Sequence, residues 1–149
     1  MPKMLSPHFA LDEFLVSQEA VRRGIDNSPD AAVRANLARL ATTLEQVRTA
    51  LGDRPVVISS GYRCPALNAA IGGAKRSAHI LGLAVDFTVP SFGTVLQTAR
   101  AIKQSGIVFD QLIYEYGRWV HLGLSADAPR QQLLSIFDAG RYLDGLRSA

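Results

Sequence analysis

His79, Asp86 and His121 are the side chains of this chain best suited to hold a metal ion. In the run Leu83-Ala84-Val85-Asp86-Phe87-Thr88-Val89 every odd position is apolar, so a strand there points Asp86 away from the Val85/Phe87 core face. In Trp119-Val120-His121-Leu122-Gly123-Leu124 the apolar set is Val120, Leu122 and Leu124, so His121 also points away from the core. A solvated sheet face more usually carries Lys, Thr or Glu at such positions. His79 lies seven residues before Asp86, in a loop that can turn back at Gly82 and bring its imidazole over the start of the strand. Two neutral imidazoles and one carboxylate suit Zn²⁺, and three protein ligands leave a fourth position open for water, the mark of a catalytic site. Each residue also has an ordinary reading: a packed histidine, or an aspartate that caps a turn or pairs with an arginine.

The elements that must position these residues follow from local pattern. Residues 8–26 read as short helices with Leu11, Phe14 and Leu15 on one face. Asn27-Ser28-Pro29-Asp30 is a helix-start signal. A long helix is expected from about Pro29 to Leu51, burying Val33, Leu37, Leu40, Leu44 and Val47 and ending at Gly52. Pro55 to Gly61 reads as a central strand, Pro65 to Ile71 as a short helix, and Gly72 to Gly82 as a loop. A second strand is expected over Ala84–Val89 and a second long helix over Phe92–Ser105. Strands over Gln111–Tyr116 and Trp119–Leu124 are joined at Gly117, and a last hairpin turns around Ala139-Gly140. This is an α+β pattern: a single domain with N-terminal helices and a mainly antiparallel sheet. It divides into a helical part at about 8–51, a metal-binding core at about 55–124 and a C-terminal hairpin at about 131–144.

Bulk composition narrows the function classes. The 149 residues suffice for one domain with a real core. A single cysteine, Cys64, excludes an internal disulfide and a thiolate-based structural zinc site. The net charge of +3 fits a polyanionic surface such as a cell wall, a membrane or nucleic acid. The densest basic groups, Arg22-Arg23 and Lys75-Arg76, are only pairs, so no nucleic-acid partner is expected. No stretch has the length of a membrane span, and the first residues lack the apolar run of a signal peptide, which predicts a cytoplasmic chain.

The wider string Ser59-Ser60-Gly61-Tyr62-Arg63-Cys64-Pro65, with Asn68 following, then Ser77-x-His79-x-x-Gly82-x-Ala84-x-Asp86, then Trp119-Val120-His121, resembles the zinc D-alanyl-D-alanine peptidases. That group includes bacterial D-Ala-D-Ala carboxypeptidases and dipeptidases and phage L-alanyl-D-glutamate endopeptidases, on a fold shared with lysostaphin-type enzymes and the signalling domain of hedgehog. The segments Phe9-Ala10-Leu11-Asp12-Glu13-Phe14 and Gly24-Ile25-Asp26-Asn27 resemble a prophage subgroup. The resemblance implies that His79, Asp86 and His121 hold Zn²⁺, that Arg63 grips the substrate, and that Ser77 bonds substrate or shapes the metal loop. It gives Cys64 no chemical role, leaving it to packing. The implied substrate is the stem peptide of peptidoglycan, cut at D-Ala-D-Ala or at L-Ala-D-Glu, by a monomeric phage or prophage lysis enzyme that waits in the cytoplasm for release to the wall.

Many members of the group carry an acid three residues before the last histidine, where this chain has Arg118. Arginine cannot act as a base. The nearest acid is Glu115. A three-residue loop Tyr116-Gly117-Arg118 sets Glu115 opposite Trp119 and on the face of His121; a two-residue loop turns it to the core side, where an unpaired carboxylate is costly. Glu115 is therefore the expected general base, with Asp110 as the fallback. Trp119 either walls the cleft or merely covers the sheet. The rival from another class is a non-catalytic zinc-containing wall-binding module, kept open by the acid missing before His121.

Overall fold

The computed structural model describes residues 2–148. The chain opens with a small hairpin, β1 (Met4–Ser6) and β2 (Phe9–Ala10), followed by a 3-10 turn over Leu11–Phe14 and a short helix α1 (Gln18–Arg23). Two short helices thus fall within the expected 8–26 stretch, but its start is the strand Phe9–Ala10 of a hairpin. Strands of two and three residues leave no periodicity to read, and the i, i+3 spacing of Leu11 and Phe14 belongs to the 3-10 turn, which buries both. Ser17 then starts α1 separately by accepting from the Ala20 N–H.

Helix α2 spans Ala31–Ala50 and buries Val33, Leu37, Leu40, Ala41, Leu44 and Val47. Its N-cap is Asp30, whose carboxylate accepts from the Val33 N–H at 2.8 Å. The start is later than the Asn27-Ser28 signal implies because Asn27 is engaged elsewhere. Its side-chain amide donates to the carbonyls of Leu15 and Tyr62, and its Oδ1 accepts from the Cys64 N–H.

The main sheet contains β3 (Val57–Ser60), β4 (Ala84–Thr88), β5 (Gln111–Glu115), β6 (Trp119–Gly123), β7 (Gln132–Asp138) and β8 (Arg141–Asp144). Its spatial order is β3-β4-β6-β5-β7-β8. Every pairing is antiparallel except β5 with β7, which is parallel. The architecture is α+β with a mainly antiparallel sheet. β3 is an edge strand, not the central strand its β-rich composition implies: among the described residues it pairs only with β4, and Val57 is 52% exposed. No helix among the described residues is long and apolar enough to cross a membrane.

Helix α2 and helix α4 (Val95–Gln104) lie on one face of the sheet, and the core between them contains Leu37, Leu44, Phe87, Ile102, Leu112 and Leu122, all essentially inaccessible. The other face carries a smaller apolar group, Ile113, Leu134 and Ile136. Between β3 and β4 run a short helix α3 (Pro65–Ala70) and a 3-10 turn over Ala78–Leu81. Two glycines let this connection close on its surroundings. A Cβ on Gly61 would lie 2.6 Å from the carbonyl oxygen of Phe14. Gly82, at φ +72°, passes so near Val33 of α2 that a Cβ would meet its Cγ1 at 2.9 Å.

Candidate metal centre

Asp86 and His121 are direct cross-strand partners in the β4–β6 register, flanked by Val85↔Leu122 and Phe87↔Val120 on the core side. Strand alternation therefore delivers both polar side chains to the face opposite the helices. His121 Nδ1 lies 2.9 Å from Asp86 Oδ1. His79 arrives from the 3-10 turn, whose N-cap Ser77 accepts from the His79 N–H at 3.2 Å. Its Nε2 lies 3.4 Å from the same Asp86 oxygen, and the two imidazoles meet edge to face with centroids 5.1 Å apart. One ligand atom from each of the three residues lies within 4.8 Å of the others, and all three residues are buried.

Hydrogen bonding fixes the tautomer of His79. Its Nδ1 lies 2.7 Å from the carbonyl oxygen of Gly61, which can only accept, so Nδ1 carries the proton and Nε2 presents a lone pair. That lone pair faces a carboxylate oxygen. Two acceptors opposed at this range need a cation between them, and burial disfavours a second proton on His79, pushing its pKa down. The donor set fits a divalent metal. Ligands of a tetrahedral zinc stand about 3.4 Å apart, close to the His79–Asp86 separation. The Gly61 carbonyl supplies the outer-shell bond that orients a ligating imidazole.

The electrostatics follow the same geometry. Burial works against the Asp86 charge, but the hydrogen bond from His121 outweighs it and holds the carboxyl well below the usual range. Burial also works against a charged His121, yet its bond to Asp86 leaves its pKa raised.

Arg63 and Glu115 flank these residues. The Arg63 N–H donates to the His79 carbonyl, and its guanidinium is largely buried. Nη1 donates to Asn68 Oδ1 at 3.1 Å, while Nη2 stands 4.0 Å from Asp86 Oδ2 with no shorter bond among the described residues. Glu115 lies directly opposite Trp119 in the β5–β6 register, with Tyr116, Gly117 and Arg118 forming the turn. Positive φ at Tyr116 and Gly117 closes this turn. Glu115 is thus on the face of His121 and diagonal to it, about 7–8 Å away between backbones. Burial pushes its carboxyl above the ordinary range, with His121 pulling against it.

The comparison with known families decides what this constellation belongs to. A family model described as Peptidase M15 matches residues 7–123, which contain every residue named at the site. The chain belongs to the peptidase M15 family. It is also 36% identical over 72 residues to the zinc D-Ala-D-Ala carboxypeptidase of Streptomyces albus G, a match covering 47% of this chain and 28% of that protein.

Within this M15 chain the other candidates fall at different distances from the cluster. Asp110, the fallback base, is not at the site: its carboxylate is held by Arg130 through bonds of 2.9 and 2.8 Å, and it lines a cavity on the helix side with Arg39 and Phe109. Ser77 caps the metal loop, and Arg118 is exposed in the turn. Cys64 is buried and caps α3. Sequence reasoning missed two supports of the M15 site. Trp119 Nε1 donates to Glu115 Oε1 at 2.6 Å, a bond that cross-strand register alone could have suggested. Asn68 joins the Arg63 guanidinium to the carbonyl of Ala74, and its position in the motif was the available signal.

Proposed function

We propose that this chain is a zinc-dependent peptidase acting on the stem peptide of peptidoglycan, at D-Ala-D-Ala as a carboxypeptidase or at L-Ala-D-Glu as an endopeptidase. Its role would be that of a phage or prophage endolysin. The observation that carries the reading is the convergence of His79 Nε2, Asp86 Oδ1 and His121 Nδ1 in a buried cluster with Glu115 on the same sheet face. Membership of the M15 family and the printed activity of the Streptomyces relative support it.

Zinc, when bound by these three residues, supplies a Lewis acid that polarises a carbonyl and acidifies water. The protein's own groups do the rest. Glu115, made more basic by burial, accepts the proton of the attacking water and passes it to the leaving amine. Trp119 engages only Oε1 and leaves Oε2 for that transfer. Arg63, oriented by Asn68, offers Nη2 to a carboxylate or carbonyl oxygen of the peptide.

The test is release of new amine groups from purified peptidoglycan by protein carrying stoichiometric zinc, with mass spectrometry of the fragments. Free D-alanine identifies a carboxypeptidase, and a new N-terminal D-glutamate an endopeptidase. Arg118 at the usual position of the acid favours one second reading, a non-catalytic zinc-containing wall-binding module. Full zinc occupancy, wall binding and no amine release would establish that reading instead.

A further inference from the structure

The register carries the site face beyond the metal residues. Asp86, His121, Ile113, Leu134 and Asp144 are successive Cα partners, one from each of β4, β6, β5, β7 and β8. They form one row across the sheet, so a surface runs from the metal cluster to the C-terminal hairpin. Along it lies a cavity of about 390 Å³ floored by Ile113 and Leu134 and walled by Gln111, Gln132, Tyr142 and Asp144. The β7–β8 part of this pocket lies beyond the residues 7–123 that the family model matches.

We propose that this pocket is a substrate subsite for an aliphatic side chain ending in an ammonium group, the chemistry of lysine and other diamino acids. The proposal rests on the peptidase reading above and adds to it a residue recognised at a distance from the cut bond. The pocket has the two parts such a side chain needs. Ile113 and Leu134 are buried apolar groups that can take the methylenes. Asp144 is exposed at the far end, and its carboxylate pairs with no cation among the described residues. Arg147, the nearby base, donates instead to the Asp144 backbone carbonyl. Gln111 donates its amide to Gln132 Oε1 at 2.8 Å, which leaves the Gln111 carbonyl oxygen as a second acceptor. Tyr142 lines the side of the pocket toward the Glu115 row. Tyr142 is the Cα partner of Ile136, which is the partner of Glu115, so the hairpin shares the face of the reacting groups.

Spacing sets which residue is read. Strands stand about 4.8 Å apart, so Leu134 is roughly 10 Å from the His121 strand, and an extended peptide advances about 3.3 Å per residue. The pocket therefore takes a side chain two or three residues from the scissile bond.

The test uses the peptide L-Ala-D-Glu-L-Lys-D-Ala-D-Ala, which contains both candidate bonds, and the same peptide with norleucine in place of lysine. Binding is measured by titration calorimetry on zinc-loaded Glu115→Gln protein, and hydrolysis on the zinc-loaded parent. An exposed charge pair predicts a dissociation constant roughly three- to fivefold lower for the lysine peptide, a preference abolished by adding Asp144→Asn. Equal affinity for the two peptides, no binding of either, or a preference that survives Asp144→Asn overturns the subsite. Failure of the parent to hydrolyse either peptide strikes the peptidase reading alone, because the binding difference is read without turnover.

Discussion

The indole nitrogen of Trp119 donates to Oε1 of Glu115 at 2.6 Å, directly across the β5–β6 pair. The bond restrains a half-buried carboxylate on the face of His121 and leaves its second oxygen without a hydrogen bond among the described residues. Trp119→Phe keeps the aromatic bulk and removes the donor. Loss of one charge-assisted hydrogen bond predicts a fall in kcat of about tenfold, with KM and zinc content unchanged. Unchanged kcat would show that Glu115 is oriented without Trp119.

His79 is expected to be needed for the metal and not for the fold. His79→Ala removes one ligand and leaves the buried Gly61 carbonyl without its donor, at a cost of about 1–3 kcal/mol. The variant should keep the parent's circular dichroism, melt at a lower temperature and retain no stoichiometric zinc by atomic emission. Full zinc occupancy in the variant would refute the ligand set.

Much of this site was legible in local pattern. The alternation of Leu83 to Val89 and of Val120 to Leu124 turned Asp86 and His121 to one face, and the cost of burying an unpaired carboxylate selected the three-residue turn that places Glu115 beside them. The β1–β2 hairpin was not legible, because its strands are too short to show a period. Nor was the edge position of β3: valine and isoleucine mark a strand but not its neighbours. Asn27 looked like a helix cap because its clamp on Tyr62 and Cys64 lies 35 and more residues away. The parallel pairing of β7 with β5, which brings Tyr142 and Asp144 to the site face, is likewise non-local.

The protonation states of the cluster predict how metal binding responds to pH. Despite burial, the bond to Asp86 raises the His121 pKa, so the metal-free protein keeps this proton above the ordinary 6.5. The stability from that charged pair is present below 6.5 and is lost as pH rises through the raised value. Zinc must displace the same proton, so its affinity increases over that interval. His79, with a lowered pKa, is already neutral there. The rise in melting temperature caused by zinc should therefore be larger at pH 8 than at pH 6. An equal or smaller rise at pH 8 would contradict the assignment of His121.

Gly61 couples the N-terminal turn to the metal loop. Its carbonyl holds His79, and a Cβ there would meet the Phe14 backbone at 2.6 Å, which a flexible side chain cannot relieve. Gly61→Ala should lose about 1–3 kcal/mol of stability in urea unfolding and bind zinc more weakly than the parent. Parent-like values for both would mean that the contact relaxes freely.

The most direct test of a working metal centre is Glu115→Gln, assayed for zinc content and for amine release from purified peptidoglycan. The predicted result is stoichiometric zinc with hydrolysis at least about a hundredfold slower than the parent's, the loss expected of a general base. Stoichiometric zinc with an undiminished rate would contradict the assignment of Glu115 as the base beside His79, Asp86 and His121.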